Sequence, residues 1–277
     1  MKKYKYPTVL SIAGTDPTGG AGIQADLKTF AALGCYGMSV ITALVAQNTL
    51  GVQAIHSVPV DFVKAQLTAV LDDIKPDAIK IGMVHTLELV TAIAKTLKQY
   101  PDIPVVFDPV MIATSGDRLI EEATVAGIVE QLFPLSTIIT PNLDEAGLLI
   151  NASIKTVEQM YTSGYQIMKL GCNALLLKGG HLESEELTSL LFDGTKDVEV
   201  FTSSKIETKN MHGSGCTLSS AIASYLARGE SLSAAVALAQ DYVHGAILNA
   251  KDVVIGHGNG PLNHSYKPQK MIQYEME

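Results

Sequence analysis

The chain is short of the features that mark several functional classes. Among its 277 residues no stretch reaches the roughly 18 consecutive apolar residues that cross a bilayer as a helix, so a helical membrane protein is not expected. It has only three cysteines, Cys35, Cys172 and Cys216. An odd and sparse set of this kind excludes a disulfide framework and fits reduced thiols in a cytoplasm. Lys and Arg form no cluster and the net charge is −8, which argues against nucleic acid as a partner. The opening Met-Lys-Lys-Tyr-Lys-Tyr-Pro is basic but lacks the apolar region and cleavage site of a secretory signal, so a cytoplasmic location is expected. Linkers, repeats and low-complexity segments are also missing, and one domain over 1–277 is the economical expectation.

What the chain does have is a well-filled core composition, with 47% apolar and 17% charged residues. Short apolar runs predict strands near Val9–Ala13, Met38–Ala46, Ala78–Ile81, Val105–Phe107, Thr137–Ile139, Ala174–Leu177 and Leu187–Phe192. Between them, Val63, Leu67, Val70, Leu71 and Ile74 fall on one helical face. So do Leu232, Val236, Ala239, Val243 and Ile247. This alternation predicts an α/β fold with a mostly parallel sheet covered by helices on both sides.

The strand exits are polar or glycine-rich. They read Gly14 to Gly22, Gln47-Asn48-Thr49, Gly82-Met83, Asp108-Pro109-Val110, Thr140 to Glu145, and Lys178-Gly179-Gly180-His181. In an open parallel sheet these points share the carboxyl edge, where ligands bind. Farther on, Met211-His212-Gly213-Ser214-Gly215-Cys216 precedes an alanine-rich helical pattern running to about Arg228. Glycines at a helix N-terminus leave amides free for an anion, and a phosphoryl group with charge on three oxygens suits them best. The alternative for this stretch is a loop that merely opens a helix.

These segments resemble the ribokinase-like superfamily and, within it, the hydroxymethylpyrimidine and hydroxymethylpyrimidine-phosphate kinases of thiamin synthesis. The matching pieces run in the family order from Ala13-Gly14-Thr15-Asp16 to Gly260-Pro261-Leu262-Asn263-His264. Cysteine-bearing pyridoxine kinases share most of them. The resemblance implies a three-layer α/β/α kinase using ATP and Mg2+, a small aminopyrimidine alcohol or its phosphate as substrate, and a homodimer. Gln47 would hydrogen-bond the pyrimidine's amino group and ring nitrogen, having both donor and acceptor. Asp26 would contact its polar edge, and Gly14, Ala21, Met83 and Val110 would surround the ring. Lys178 and Asn142 would hold ATP phosphates, with Glu145 and Asp108 near the metal. Gly213, Ser214 and Gly215 would cradle the transferring group, and Cys216 would be the base where most of the superfamily carries aspartate. A helix N-terminus and Lys178 would lower its thiol pKa.

Each assignment has a structural alternative. Gln47 could be a strand-end amide satisfied by a turn, Asp26 an exposed carboxylate of the first helix, and Met83 a core residue. Asn142 and Glu145 fit a capping box, and Cys216 fits a small buried apolar position. Cys35 and Cys172, away from strand exits, are read as structural. Two other reaction classes fit less well. A cysteine hydrolase with Cys216 as nucleophile and His212 as base lacks the glycine bracketing of a nucleophile elbow. A dinucleotide oxidoreductase lacks Gly-x-Gly-x-x-Gly and an acidic residue ending the second strand. His257 and His264 without further ligands are read as loop residues.

Overall fold

Alternation along each strand decides which face its side chains enter. In a computed structural model describing residues 2–111, 120–180, 182, 186–195 and 197–276, the chain runs from β1 (Tyr4–Lys5) and β2 (Thr8–Ala13) into α1 (Gly22–Ala32) and β3 (Tyr36–Ile41). A hairpin of β4 (Ala43–Asn48) and β5 (Gly51–Ser57) follows. Next come α2 (Val60–Asp73), β6 (Ala78–Ile81), α3 (Leu87–Leu97), β7 (Val105–Phe107), α4 (Glu122–Gln131) and β8 (Ile138–Ile139). The second half holds α5 (Leu143–Ile150), α6 (Val157–Met168), β9 (Leu175–Lys178), β10 (Glu186–Phe192), β11 (Glu199–Ser204), α7 (Ser214–Ala227), α8 (Leu232–Leu248) and β12 (Tyr274–Glu275).

Eight strands form one sheet in the order β11-β10-β9-β8-β7-β6-β2-β3. The six from β9 to β3 are parallel, and β10 runs antiparallel to both of its neighbours. Leu10, Ile12, Ile79, Ile81, Leu175 and Leu177 point to one face, where they pack with side chains of α2 to α6. Val9, Ala78, Val106, Ile138 and Leu176 point to the other, beneath α1, α7 and α8. This is the expected three-layer architecture, and each fully buried Leu or Ile contributes ~1.5–3 kcal/mol through lost apolar surface. The order reverses between β2 and β6, so their exits diverge and open a crevice at the carboxyl edge.

One expected strand divides. Met38–Ala46 breaks at Thr42, whose N–H donates to the Ala13 carbonyl and whose hydroxyl donates to that of Met83. These anchors turn the chain out of the sheet, and β4 pairs only with β5, as a flap over the sheet edge. Gln47 therefore sits on a flap and not at a strand exit of the central sheet. Neither β5 nor β11 carries a compact apolar run, because β5 is exposed nearly throughout and β11 is an edge strand. Ile74 lies just past the end of α2 and is exposed, although its neighbours Val63, Leu67 and Leu71 are buried as expected.

Candidate active site

The crevice is a cleft of about 720 Å³, walled by the β2 and β6 exits, the flap and the N-terminal end of α7. Of the residues singled out from the sequence, all but Asp26 line it. Gly14, Ala21, Gln47, Met83 and Val110 gather at the β2/β6 crevice, and Asp108, Asn142, Glu145 and Lys178 come from the next strand exits. Gly213 to Cys216 face both groups. The motif neighbour His181 falls outside the described residues.

Asp26 requires a correction. It has no exposed surface and pairs with Lys80, whose Nζ lies 2.9 Å from both carboxylate oxygens. Ser11 and Ser220 donate to the same carboxylate at 2.5 and 2.7 Å. Ser11 and Lys80 are register partners on β2 and β6, so the pair is sealed between the sheet and α1 and α7. Asp26 cannot meet a substrate directly.

The two glycine-rich loops differ in what their amides do. In the first, the Asp16 carboxylate accepts from the N–H groups of Thr18, Gly20 and Ala21 and from His212 Nε2 at 2.8 Å. Burial opposes the charge, yet hydrogen bonds from His212, Gln47 and Thr18 hold this carboxyl well below the usual carboxylate range. The loop thus carries its own anion and has no vacant cradle for a phosphate. In the second, Ser214 N–H donates to the Met211 carbonyl, while the amides of Gly215 and Cys216 have no acceptor among the described residues. Gly213 adopts φ +83°, and a Cβ there would strike the Gly20 carbonyl oxygen, so only glycine lets the two loops touch.

Asp16 and His212 organise the site, and the sequence reading did not give Asp16 a role. The local signal was the Asp16-Pro17-Thr18 turn, but its long-range partner was not visible. His212 Nε2 bonds Asp16, and among the described residues no hydrogen bond joins His212 to Cys216, so the nucleophile–base contact of a cysteine hydrolase is missing. His264 is buried against Thr217, burial pushing its pKa down to about 4, and His257 is exposed, so the two do not form a metal site.

Asn142 and Glu145 form the capping box: Asn142 Oδ1 accepts from Glu145 N–H at 2.9 Å, and Glu145 Oε2 accepts from Asn142 N–H at 2.8 Å. Glu145 is nevertheless part of the cleft wall. Burial pushes its carboxyl up to about 7, Lys178 pulling it down and Asp108 adding to the rise. Lys178 donates to Asp108 at 3.1 Å, and Thr140 and Ser219 also donate to that aspartate. A Cβ at Gly215 would lie 3.4 Å from Lys178 Nζ and 3.5 Å from Asp108, which places the free amides beside this pair.

Cys216 also departs from expectation. Burial pushes its thiol up to about 11; Lys80, and not Lys178, is the main cation opposing the rise, and Asp26 and Asp108 add to it. The helix N-terminus does not leave a thiolate at neutral pH. Cys35 and Cys172 are buried, as read from the sequence.

Comparison with known proteins bears on this geometry. The family model described as phosphomethylpyrimidine kinase matches residues 16–263. The chain is 50% identical over 259 residues to the hydroxymethylpyrimidine/phosphomethylpyrimidine kinase of Rhizobium meliloti, covering 93% of this chain and 97% of the relative. The crystal structure of Clostridium difficile phosphomethylpyrimidine kinase superposes with a TM-score of 0.77 at 44% identity, covering 87% of this chain and 99% of that one. An ADP complex of Bacillus subtilis pyridoxal kinase superposes with a TM-score of 0.87 at 37% identity, covering 94% and 98%.

Proposed function

The chain belongs to the phosphomethylpyrimidine kinase family, and on that premise we propose that its cleft phosphorylates 4-amino-5-hydroxymethyl-2-methylpyrimidine and then the resulting monophosphate, with ATP as donor. The observation that carries this reading is the placing of the unpaired amides of Gly215 and Cys216 beside Lys178 and Asp108 in one cleft. Such an arrangement holds an anion from two sides and stabilises charge that spreads over a transferring phosphoryl group.

In this reading the ring lies against Met83, Ala21 and Val110. Gln47, oriented by its hydrogen bond to Asp16, presents its remaining amide groups to the aminopyrimidine edge. Asn142 and Lys178 take the nucleotide phosphates. Among the described residues no group of three or more His, Cys, Asp or Glu side chains could hold a metal by itself. Two carboxylates suit Mg2+, which keeps waters and binds largely through phosphate oxygens, so Glu145 and Asp108 would hold it. When bound, the ion neutralises charge on the phosphates. Only the thiolate of Cys216 can accept the hydroxyl proton as the acceptor oxygen attacks the γ-phosphorus. With the thiol near 11 this form is a small fraction at pH 8, so phosphorylation of the alcohol should speed up with rising pH.

All of 1–277 acts as one kinase domain in this reading. Three free thiols fit a reducing cytoplasm. The exposed apolar side chains of Leu44, Leu50, Val52 and Ile55 on the flap fit a homodimer, which sedimentation tests.

The deciding experiment measures turnover of the pyrimidine, its monophosphate and pyridoxine side by side. Pyridoxine or pyridoxal phosphorylation is the second reading, favoured by the close superposition with the pyridoxal kinase. Cys216→Ala should slow phosphorylation of the alcohol by roughly 10²–10⁴-fold, the range for losing a general base. The monophosphate, whose second pKa is about 6, brings no proton to remove at pH 8 and should slow far less. Equal slowing of both single-turnover steps would show that Cys216 shapes the site and is not the base.

A further inference from the structure

At the base of the flap, Thr15 N–H donates to the Ala43 carbonyl and Val45 N–H donates to the Thr15 hydroxyl, both at 3.0 Å. At its tip, residues 48–52, the hydrogen bonds to the rest of the chain among the described residues all go through Thr49. Thr49 Oγ1 accepts from the N–H groups of His257 and Gly258, each at 3.1 Å, and the Thr49 carbonyl accepts from Asn259 N–H at 2.9 Å. A Cβ at Gly258 would strike that carbonyl oxygen, so the contact needs a glycine. The strap that grips Thr49 is itself tied to the phosphoryl loop. Asn210 Nδ2 donates to the carbonyls of Ala250 and Val253 at 2.6 and 2.7 Å, and His212 N–H donates to that of Gly260 at 3.1 Å. Residues 210–212 run directly into Gly213. The circuit closes at Asp16, which bonds His212 on one side and Gln47 on the other.

Thr49 is half-buried and His257 and Asn259 are exposed, so this contact can break without opening the core. We propose that Thr49 is a positioning residue for the acceptor, its hydroxyl latching the flap to the strap and so holding Gln47 at a fixed distance from Gly213 to Cys216. This rests on the kinase reading and deepens it by naming the contact that keeps the two halves of the site in register. A flap without its latch samples positions from which Gln47 cannot reach a ring seated at the phosphoryl loop. Apparent acceptor affinity then falls with the fraction of molecules that stay latched, while a bound acceptor reacts at the same rate.

The test compares wild type with Thr49→Val, which keeps the shape and removes the accepting oxygen, and with Thr49→Ser, which keeps the oxygen. In Thr49→Val, KM for the pyrimidine should rise about 3- to 30-fold, the worth of one or two hydrogen bonds, while kcat and KM for ATP stay put. Thr49→Ser should match wild type. Gly258→Ala attacks the same contact from the strap, and the double variant Thr49→Val/Gly258→Ala should lose no more than the worse single one. An unchanged KM in Thr49→Val overturns the proposal. So does an equal loss in Thr49→Ser, because the oxygen is then not what matters. Additive losses in the double variant also overturn it, since the two positions then act separately. Amide hydrogen exchange without ligands separates the latch from the kinase reading: residues 43–57 and 256–259 should exchange faster in Thr49→Val than in wild type. If wild type phosphorylates no acceptor, the kinase reading fails and the latch is judged on exchange alone. Unchanged exchange overturns the latch whatever the acceptor.

Discussion

Lys80–Asp26 and Lys178–Asp108 are built from the same parts. Each joins a lysine near the end of a parallel strand to an aspartate, at 2.9 and 3.1 Å. Each aspartate also takes two hydroxyls, from Ser11 and Ser220 in one case and Thr140 and Ser219 in the other. Ser219 and Ser220 are consecutive on α7, so one helix serves both pairs. Solvent access separates them. The side chains of the first pair are 0% exposed, whereas Lys178 is 15% exposed and faces the cleft beside Gly215 and Glu145. A closed pair can only hold structure and set a field. An open pair can exchange its partner for a phosphate oxygen.

Breaking the closed pair should have the largest effect. Lys80→Met leaves the Asp26 charge buried without a cation, and unfolding in urea should show a loss of about 3–5 kcal/mol. Lys178→Met should reverse the pattern. Its pair borders the cleft, where Lys178 is 15% exposed, so the stability loss should be smaller than that of Lys80→Met. Turnover for every acceptor should fall roughly 10²–10³-fold, as when one donor to a developing phosphoryl charge is removed. Equal stability losses in the two variants would erase the distinction.

A third measurement reads the field of the closed pair at the cleft. With its thiol near 11, Cys216 should be alkylated by iodoacetamide about tenfold faster per pH unit from 8 to 10, since the thiolate is the nucleophile. Lys80 lowers that pKa, so its removal raises it, and Lys80→Met should react more slowly at each pH in this window. Mass spectrometry locates the label and keeps Cys35 and Cys172 out of the rate. The smallest effect belongs to the double variant Lys80→Met/Asp26→Leu. Replacing both charges with apolar groups should bring stability to within about 1–2 kcal/mol of wild type. A double variant as unstable as Lys80→Met alone would mean that packing, and not the unpaired charge, carries the loss.

Much of the fold was legible because its signals are local. A buried strand between helix layers must be a short apolar run, and Val9–Ala13, Ala78–Ile81 and Val105–Phe107 could be read from their own residues. The β4–β5 flap was not, since its course depends on Thr42 bonding to Ala13 and Met83, and its outer face is exposed. Most of the cleft residues were legible too, because ligand-binding residues gather at strand exits and in glycine-rich turns.

The sequence by itself determined the layer order, the edge where chemistry gathers, and the residue types brought there. Tertiary structure alone decided what each could do. Asp26 sits on an amphipathic helix whose inward face becomes known only once Lys80 and Ser220 meet it. Asp16 finds His212 at 196 residues' separation, which turns one glycine loop inward and leaves the other free. The Cys216 thiol is raised, not lowered, because burial and two aspartates outweigh one lysine. Charge, burial and unpaired donors depend on neighbours distant in the chain, and no local pattern of side chains records which neighbours those will be.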